Sequence, residues 1–158
     1  MATALHSLSD YDPESVPNGA NFKIGICVSE WNSEITFNLL KGAKETLLKH
    51  GVKEKNIHTK LVPGSFELPI GAELMLQKKE LDAVICLGCV IRGETAHFDF
   101  VCQATALGIK DVSLKYVRPV IFGVLTDDNI DQSRARSGDK HGNKGVEAAI
   151  SALKMASF

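Results

Sequence analysis

The sequence has little of what a cross-linked or membrane-bound protein requires. Its 158 residues include four Cys, five Pro and 6% aromatic residues, and no uninterrupted apolar run approaches the length of a membrane span. Neither charge is in excess, because eighteen Lys and Arg face nineteen Asp and Glu and the net charge is −1. Without a strong field, neither nucleic acid nor a membrane surface is an expected partner. The first twenty residues lack the basic and apolar parts of a secretory signal, so we expect a soluble, cytoplasmic protein.

The composition is typical of one globular domain. A chain of about 150 residues buries roughly two-thirds of its unfolded surface, so it needs no disulfide or metal for stability. Residues 1–20 are polar, and we expect a tail that is mobile or packed on a neighbouring subunit. Residues 21–158 are predicted to form the domain.

The spacing Cys86-x-x-Cys89 is found in redox and zinc sites, but here it lies in the apolar run AVICLGCVI. That run predicts a buried strand, on which residues three apart point to opposite faces. A zinc site would also need a second ligand pair, which the sequence does not offer. Buried thiols in a reducing compartment are therefore favoured over a metal site.

Short β-branched runs alternate with helical patterns along the chain. Ile35, Leu39, Ala43 and Leu47 recur every four residues and predict a helix that Asn32 or Ser33 can cap. Strands are predicted at 22–28, 57–62, 83–91 and 120–126, and further helices near 69–79, 96–115 and in the C-terminal forty residues. This alternation predicts an α/β fold, a three-layer α/β/α sandwich around a mostly parallel, flavodoxin-like sheet.

In such folds ligands bind beyond the carboxyl ends of the strands, which here carry the loops SEWN, PGSFE and IRGETAH. The turn containing Gly93, Glu94 and Thr95 enters a helix, whose backbone N–H groups can bind an anion. A plain capping turn explains the same residues equally well. No P-loop is predicted, since Glu94-Thr95 stands where Lys-Ser/Thr would be.

Three further residues are candidates for chemistry. His97 falls in the first turn of that helix, where the neutral imidazole is favoured and can accept a proton, although a structural histidine is the commoner case. Arg136 and Lys144 bracket the loop SGDKHGN and can bind phosphate, or they can be ordinary surface cations. Convergence of these cations with Gly93 and Thr95 would favour the phosphate interpretation.

Aromatic and polar residues stand together in two of the loops. Trp31 with Asn32, and Phe66 with Glu67, suit a flat heterocycle that carries a hydroxylated chain. The aromatic side chains can equally well cover the edge of the sheet. Phe122 lies within the run VIFGVL, whose pattern alone predicts a core residue.

Six segments in order resemble the lumazine synthase family: KIGICVSEWN, VPGSFELP, ICLGCVIRGETAHFDFV, PVIFGVLT, NIDQSRARSG and GNKGVEAAISALKMA. The resemblance extends from about residue 22 to the C-terminus. It implies condensation of 5-amino-6-(D-ribitylamino)uracil with 3,4-dihydroxy-2-butanone 4-phosphate. The products are 6,7-dimethyl-8-ribityllumazine, phosphate and water, and neither a cofactor nor a metal is implied.

The resemblance also implies a role for each matching residue. Catalysis is assigned to His97 for proton transfer, to Arg136 for phosphate and to Lys144 beside the reacting substrates. Substrate binding is assigned to Trp31, Asn32, Ser65, Phe66, Glu67, Cys89, Val90, Ile91, Gly93, Glu94, Thr95 and Phe122. A neighbouring subunit lends Phe122 to the pocket, and this implication replaces the core interpretation.

Members of this family form pentamers, many of which close into an icosahedral shell. The short connection SGDKHGNKG favours a shell, although Pro17 and the tail can alter the packing. Riboflavin synthase is an implied partner. Two alternatives stay open: an aldolase-like enzyme that forms a Schiff base on Lys144, and a catalytically weak flavin- or lumazine-binding cage protein of the same fold.

Overall fold

The structure, a computed structural model, describes residues 9–158. Within that range strands and helices alternate along most of the chain. The strands are β1 (Ile24–Ser29), β2 (Ile57–Val62), β3 (Ala83–Ile91), β4 (Val120–Asp127), β5 (Ser137–Asp139) and β6 (Gly142–Asn143). The helices are α1 (Ser33–Lys49), α2 (Leu68–Lys78), α3 (His97–Tyr116), α4 (Ile130–Ala135) and α5 (Lys144–Ala156).

The main sheet is parallel, with the strand order β2-β1-β3-β4. The central strands are the most apolar: every residue of β1 is buried, as are the first seven residues of β3. The edge strand β2 carries His58 and Lys60 and is only partly covered. A strand covered on both faces must be apolar throughout, so composition decides which strands occupy the centre.

Helices cover both faces of this sheet. Ile35 and Leu39 of α1 and Leu153 of α5 pack on one face, whereas Leu68 of α2 and Ile109 of α3 belong to the core on the other. In the sheet, β2 lies on one side of β1, whereas β3 and β4 lie on the other side. Because connections between parallel strands have the same hand, this order places α1 on one face of the sheet and α2 and α3 on the opposite face. The predicted three-layer, flavodoxin-like fold is confirmed.

The structure adds one element to the predicted set. The connection between α4 and α5 contains the antiparallel pair β5–β6, in which Asp139 lies opposite Gly142. Gly138 and Gly142 have φ angles of 125° and 83°, which glycine adopts without strain. Strands of two and three residues are too short to show the alternation on which strand prediction depends.

The two sulfurs of the Cys86-x-x-Cys89 spacing diverge, as predicted. Cys86 lies in the core under α2 and α3, and Cys89 in the core under α1 and α5. Burial raises the pKa of the Cys89 thiol to about 11 and that of Cys27 to about 12. Within residues 9–158, no three His, Cys, Asp or Glu side chains form a group that could hold a metal ion.

Residues 9–20 lie against the same chain. The Tyr11 hydroxyl is 3.0 Å from His50 Nε2, and the Asn143 N–H donates to Ser9 Oγ at 2.6 Å. Residues 1–8 of the predicted tail lie outside the described residues, and the boundary at residue 20 stays a prediction. In the described chain, no helix has the length and apolar character that crossing a membrane requires.

Candidate functional site

A cleft of about 600 Å³ opens beyond the carboxyl ends of the main strands. It lies where the strand order reverses between β1 and β3, which is where ligands bind in open parallel sheets. Its lining consists of Trp31, Asn32, Gly64, Ser65, Phe66, Glu67, Cys89, Val90, Ile91, His97, Phe98, Phe100 and Val101. The structure therefore brings together predicted residues from two loops, the end of β3 and the start of α3.

The first wall is the loop after β1. The Trp31 N–H donates to the Pro63 carbonyl at 3.1 Å, which ties this loop to the one after β2, and the Trp31 side chain is 72% exposed. Asn32 has a left-handed backbone (φ 58°, ψ 47°), a conformation that asparagine tolerates better than most residues. Asn32 directly precedes α1, but its side chain does not cap the helix. Its Nδ2 donates instead to the Cys89 carbonyl at 3.0 Å.

The second wall is the 3₁₀ turn Ser65–Glu67. Thr105 of α3 holds it by donating through Oγ1 to the Ser65 carbonyl at 3.2 Å. The turn approaches β3 so closely that a Cβ on Gly88 would lie 2.6 Å from Ser65 Oγ. Ser65 Oγ is buried and has no hydrogen-bond partner among the described residues. This oxygen therefore faces Gly88 in the interior, while other atoms of Ser65 line the cleft.

The floor is the end of β3. Pairing between β1 and β3 ends at Leu87, whereas pairing between β3 and β4 continues to Ile91 opposite Asp127. Past Leu87, the backbone of β3 on the β1 side therefore has no strand beside it. This geometry leaves backbone polar groups of Cys89 and Ile91 beside the cleft, where they can pair with the polar edge of a planar ligand, while those of Val90 face β4.

His97 is the first residue of α3 and lines the cleft. Its backbone N–H donates to Thr95 Oγ1 at 3.4 Å, so Thr95 satisfies one N–H group of the helix start. The turn of Gly93, Glu94 and Thr95 is exposed and lies outside the cleft lining. A Cβ on Gly93 would meet nothing within 4 Å, so packing within this chain does not require glycine at that position.

Arg136 and Lys144 lie apart from the cleft lining. The Arg136 guanidinium donates to Glu147 Oε1 and to the His141 carbonyl, both at 2.7 Å, and the Lys144 ammonium pairs with Glu147 Oε2 at 3.1 Å. Arg136 lines a separate cavity of about 340 Å³. Phe122 on β4 is 37% exposed and is also outside the cleft lining. One chain thus does not bring the predicted cations together with the Gly93–Thr95 turn.

Sequence reasoning missed several residues that shape the site. Glu147 holds both cations, and its i, i+3 spacing from Lys144 at a helix start was the available signal. Arg92 bonds Asp99 and Asp128 and lies 4.1 Å above the Phe98 ring, so it holds the start of α3 against the end of β4. The remaining lining residues that were not predicted are Gly64, Phe98, Phe100 and Val101.

Comparisons with a family model and with individual proteins point to the same family. A family model described as 6,7-dimethyl-8-ribityllumazine synthase matches residues 21–158. Proteins with that name are 56% identical in Parabacteroides distasonis (100% of this chain and 99% of the relative) and 54% identical in Porphyromonas gingivalis (99% and 97%). A third, from Cytophaga hutchinsonii, is 57% identical (98% and 97%). The chain therefore belongs to the 6,7-dimethyl-8-ribityllumazine synthase family.

Proposed function

We propose that the cleft is where this transferase condenses 5-amino-6-(D-ribitylamino)uracil with 3,4-dihydroxy-2-butanone 4-phosphate to give 6,7-dimethyl-8-ribityllumazine. Family membership supports the reaction. The observation that carries the location is that one cleft gathers nine matching positions from well-separated segments: Trp31, Asn32, Ser65, Phe66, Glu67, Cys89, Val90, Ile91 and His97.

The residue types suit the uracil substrate. Trp31 and Phe66 offer aromatic faces for the flat ring, while the backbone edge at residues 89–91 can pair with its carbonyl and N–H groups. The Glu67 carboxylate and the cleft-lining atoms of Ser65 can bind hydroxyls of the ribityl chain. These contacts orient the aromatic amine towards the second substrate.

The chemistry requires proximity and proton transfer. The 5-amine attacks the ketone to form an imine with loss of one water, and phosphate is then eliminated. The resulting enol tautomerises to a ketone, which the ribityl-bearing amine attacks to close the ring with loss of a second water. Holding both reactants in attack geometry can lower the barrier by roughly 7–11 kcal/mol. His97 lines the cleft and can shuttle the protons, a role worth about 10²–10⁴-fold in rate.

We infer that a neighbouring subunit completes the site. Arg136, Lys144 and Phe122 do not line the cleft of their own chain, so in a ring of copies they are available to the cleft of the next one. Next to the open space around Gly93, an arginine fork would complete a phosphate site with Glu94 and Thr95. The Lys144 amine would then lie beside the reacting substrates.

The surface of α3 supports such an assembly. Phe100, Leu107 and Leu114 recur every seven residues and are 70%, 51% and 68% exposed, which leaves an apolar stripe along the helix. A stripe of this kind marks a protein interface, and its proposed occupant is a second copy of the chain. We propose a homopentamer that closes into an icosahedral shell, with riboflavin synthase as a further partner. Cytoplasmic localisation is supported by the four unbridged thiols, three of which are buried.

The deciding experiment mixes the purified protein with both substrates and follows lumazine absorbance together with phosphate release. We expect both products only when both substrates are present. His97→Ala should slow the reaction, and His58→Ala, on the edge strand away from the cleft, serves as the matched histidine control. Absence of both products with the wild-type protein would contradict the proposal.

Two further results would favour the alternative functions. Borohydride trapping of a protein–substrate adduct would favour a Schiff base on Lys144, although Glu147 already engages that amine at 3.1 Å. Tight lumazine binding without phosphate release would favour the cage protein.

A further inference from the structure

A buried chain of hydrogen bonds connects the floor of the cleft with helix α4. Cys89 Sγ donates to Ser133 Oγ at 3.3 Å, and Ser133 Oγ donates to Asp127 Oδ2 at 2.7 Å. Cys89 and Ser133 are almost completely buried. Ser133 thus accepts one bond and donates another, and the donated bond ends on a carboxylate.

The direction of these bonds is consistent along the chain. Burial raises the pKa of the Cys89 thiol to about 11, so the sulfur keeps its proton at neutral pH and acts as the donor. The Ser133 hydroxyl can then point its own proton at Asp127. A short bond to a carboxylate is stronger than one between neutral groups, so Ser133 is held firmly.

The two ends of this chain reach two different cavities. Cys89 lines the cleft, and its carbonyl accepts from Asn32 of the opposite wall at 3.0 Å. Asp127 lines the separate cavity that contains Arg136, the residue directly after α4. Helix α4 has only six residues and cannot be stable by itself, so the position of Arg136 depends on such anchors.

We propose that Ser133 is a positioning residue that holds two substrate-binding surfaces at once, the end of β3 in its own cleft and Arg136 directly after α4. The inference rests on the proposed function, because it assigns the first surface to the uracil substrate and the second to the phosphate substrate. Loss of the Ser133 hydroxyl then weakens binding of both substrates, although it touches neither.

The test compares Ser133→Ala with Ser137→Ala in the assembled enzyme. Ser137 is also buried, but its Oγ donates to the Arg134 carbonyl and takes no part in the bonds between Cys89 and Asp127. We expect Ser133→Ala to raise KM for both substrates about tenfold, with kcat changed less than about twofold. Ser137→Ala should leave both KM values near those of the wild type.

A second pair of variants covers the case in which Ser133→Ala does not fold. Asp127→Asn keeps an oxygen that accepts from Ser133, whereas Asp127→Ala removes it. We expect both KM values of Asp127→Asn to lie closer to those of the wild type than the values of Asp127→Ala do.

Equal KM values for Ser133→Ala and Ser137→Ala, or for Asp127→Asn and Asp127→Ala, would overturn the positioning role while leaving the proposed function intact. An inactive wild-type enzyme would overturn the proposed function and this inference together.

Discussion

Trp31 combines two properties that make its side chain informative. It is the one tryptophan of the chain, and its indole is exposed at the edge of the cleft beside Asn32. An indole presents a larger face than a phenyl ring to a fused heterocycle. Its emission therefore reports on ligands in the cleft.

We expect riboflavin to quench Trp31 fluorescence in a saturable titration. Trp31→Phe should weaken riboflavin binding by less than about 1.5 kcal/mol, because the smaller phenyl ring keeps part of the stacking. Because that variant has no tryptophan, its affinity is measured from the emission of riboflavin itself. Unquenched Trp31 emission at saturating riboflavin would rule out stacking at this position.

His97 should contribute to rate more than to binding. It lies at the start of α3 on the cleft wall, and we expect His97→Ala to lower kcat by about 10²–10⁴-fold with little change in KM. Turnover should persist because proximity of the substrates supplies the larger share of the acceleration. Complete loss of turnover in a folded, assembled variant would reverse this ranking.

At the scale of elements, two glycines differ in their surroundings, so replacing one should affect stability and replacing the other should affect substrate binding. Gly88 lies inside β3 against the Ser65 turn, and Gly93 lies in the exposed turn before α3. A Cβ at Gly88 would clash with Ser65 and Leu68, whereas a Cβ at Gly93 would meet nothing within 4 Å, so packing explains Gly88 alone. The anion-binding role of Gly93 stays a prediction.

Gly88→Ala should destabilise the protein by about 1–3 kcal/mol, because the new Cβ would lie 2.6 Å from Ser65 Oγ and 2.9 Å from Leu68 Cδ1. Gly93→Ala should leave stability unchanged and raise KM for the phosphate substrate. Urea denaturation and steady-state kinetics on both variants check this pair. The expectation fails if Gly93→Ala unfolds as early as Gly88→Ala.

At the scale of the whole molecule, the exposed apolar stripe of α3 bears on assembly, and the pH bears on the stability of the fold. The apolar stripe of α3 has no cover within the described chain, and residues 9–20 are fastened to α1 through Tyr11 and His50. Apart from Phe100, which also lines the cleft, these residues lie outside it.

Leu114→Glu should dissociate the assembly, since a charge on the stripe opposes its burial against another copy. Lys41→Glu introduces the same charge at an exposed position on α1, on the opposite face of the sheet from the stripe, and should leave the assembly intact. Light scattering coupled to size-exclusion chromatography measures the mass of each variant. An unchanged mass for Leu114→Glu would place the interface elsewhere.

Stability should fall as the pH falls below about 6.5. Burial, with a smaller effect from Lys49, lowers the pKa of His50 from its ordinary value of 6.5, so the unfolded chain binds the proton more readily than the folded one. The stabilisation is complete above that value and is lost as the pH falls towards the lowered pKa. His58, whose pKa burial also lowers, adds a loss of the same sign.

We expect the urea midpoint to drop between about pH 7.5 and about pH 5.5, and to drop less in His50→Gln, which cannot take up the proton. An equal drop in both proteins would exclude His50 as a source of the pH dependence.

Local patterns in the sequence determined the elements and their faces. The spacing of Ile35, Leu39, Ala43 and Leu47 specified α1, and the apolar run at 83–91 specified a central strand, because helix and strand periods act over a few residues. The strand-end loops then followed from parallel topology. Which of their residues meet was decided by the tertiary structure alone: Asn32 bonds Cys89 across 57 residues, and Arg136 bonds Glu147 on another helix. Such contacts depend on how the elements are placed in space, for which a local pattern carries no signal.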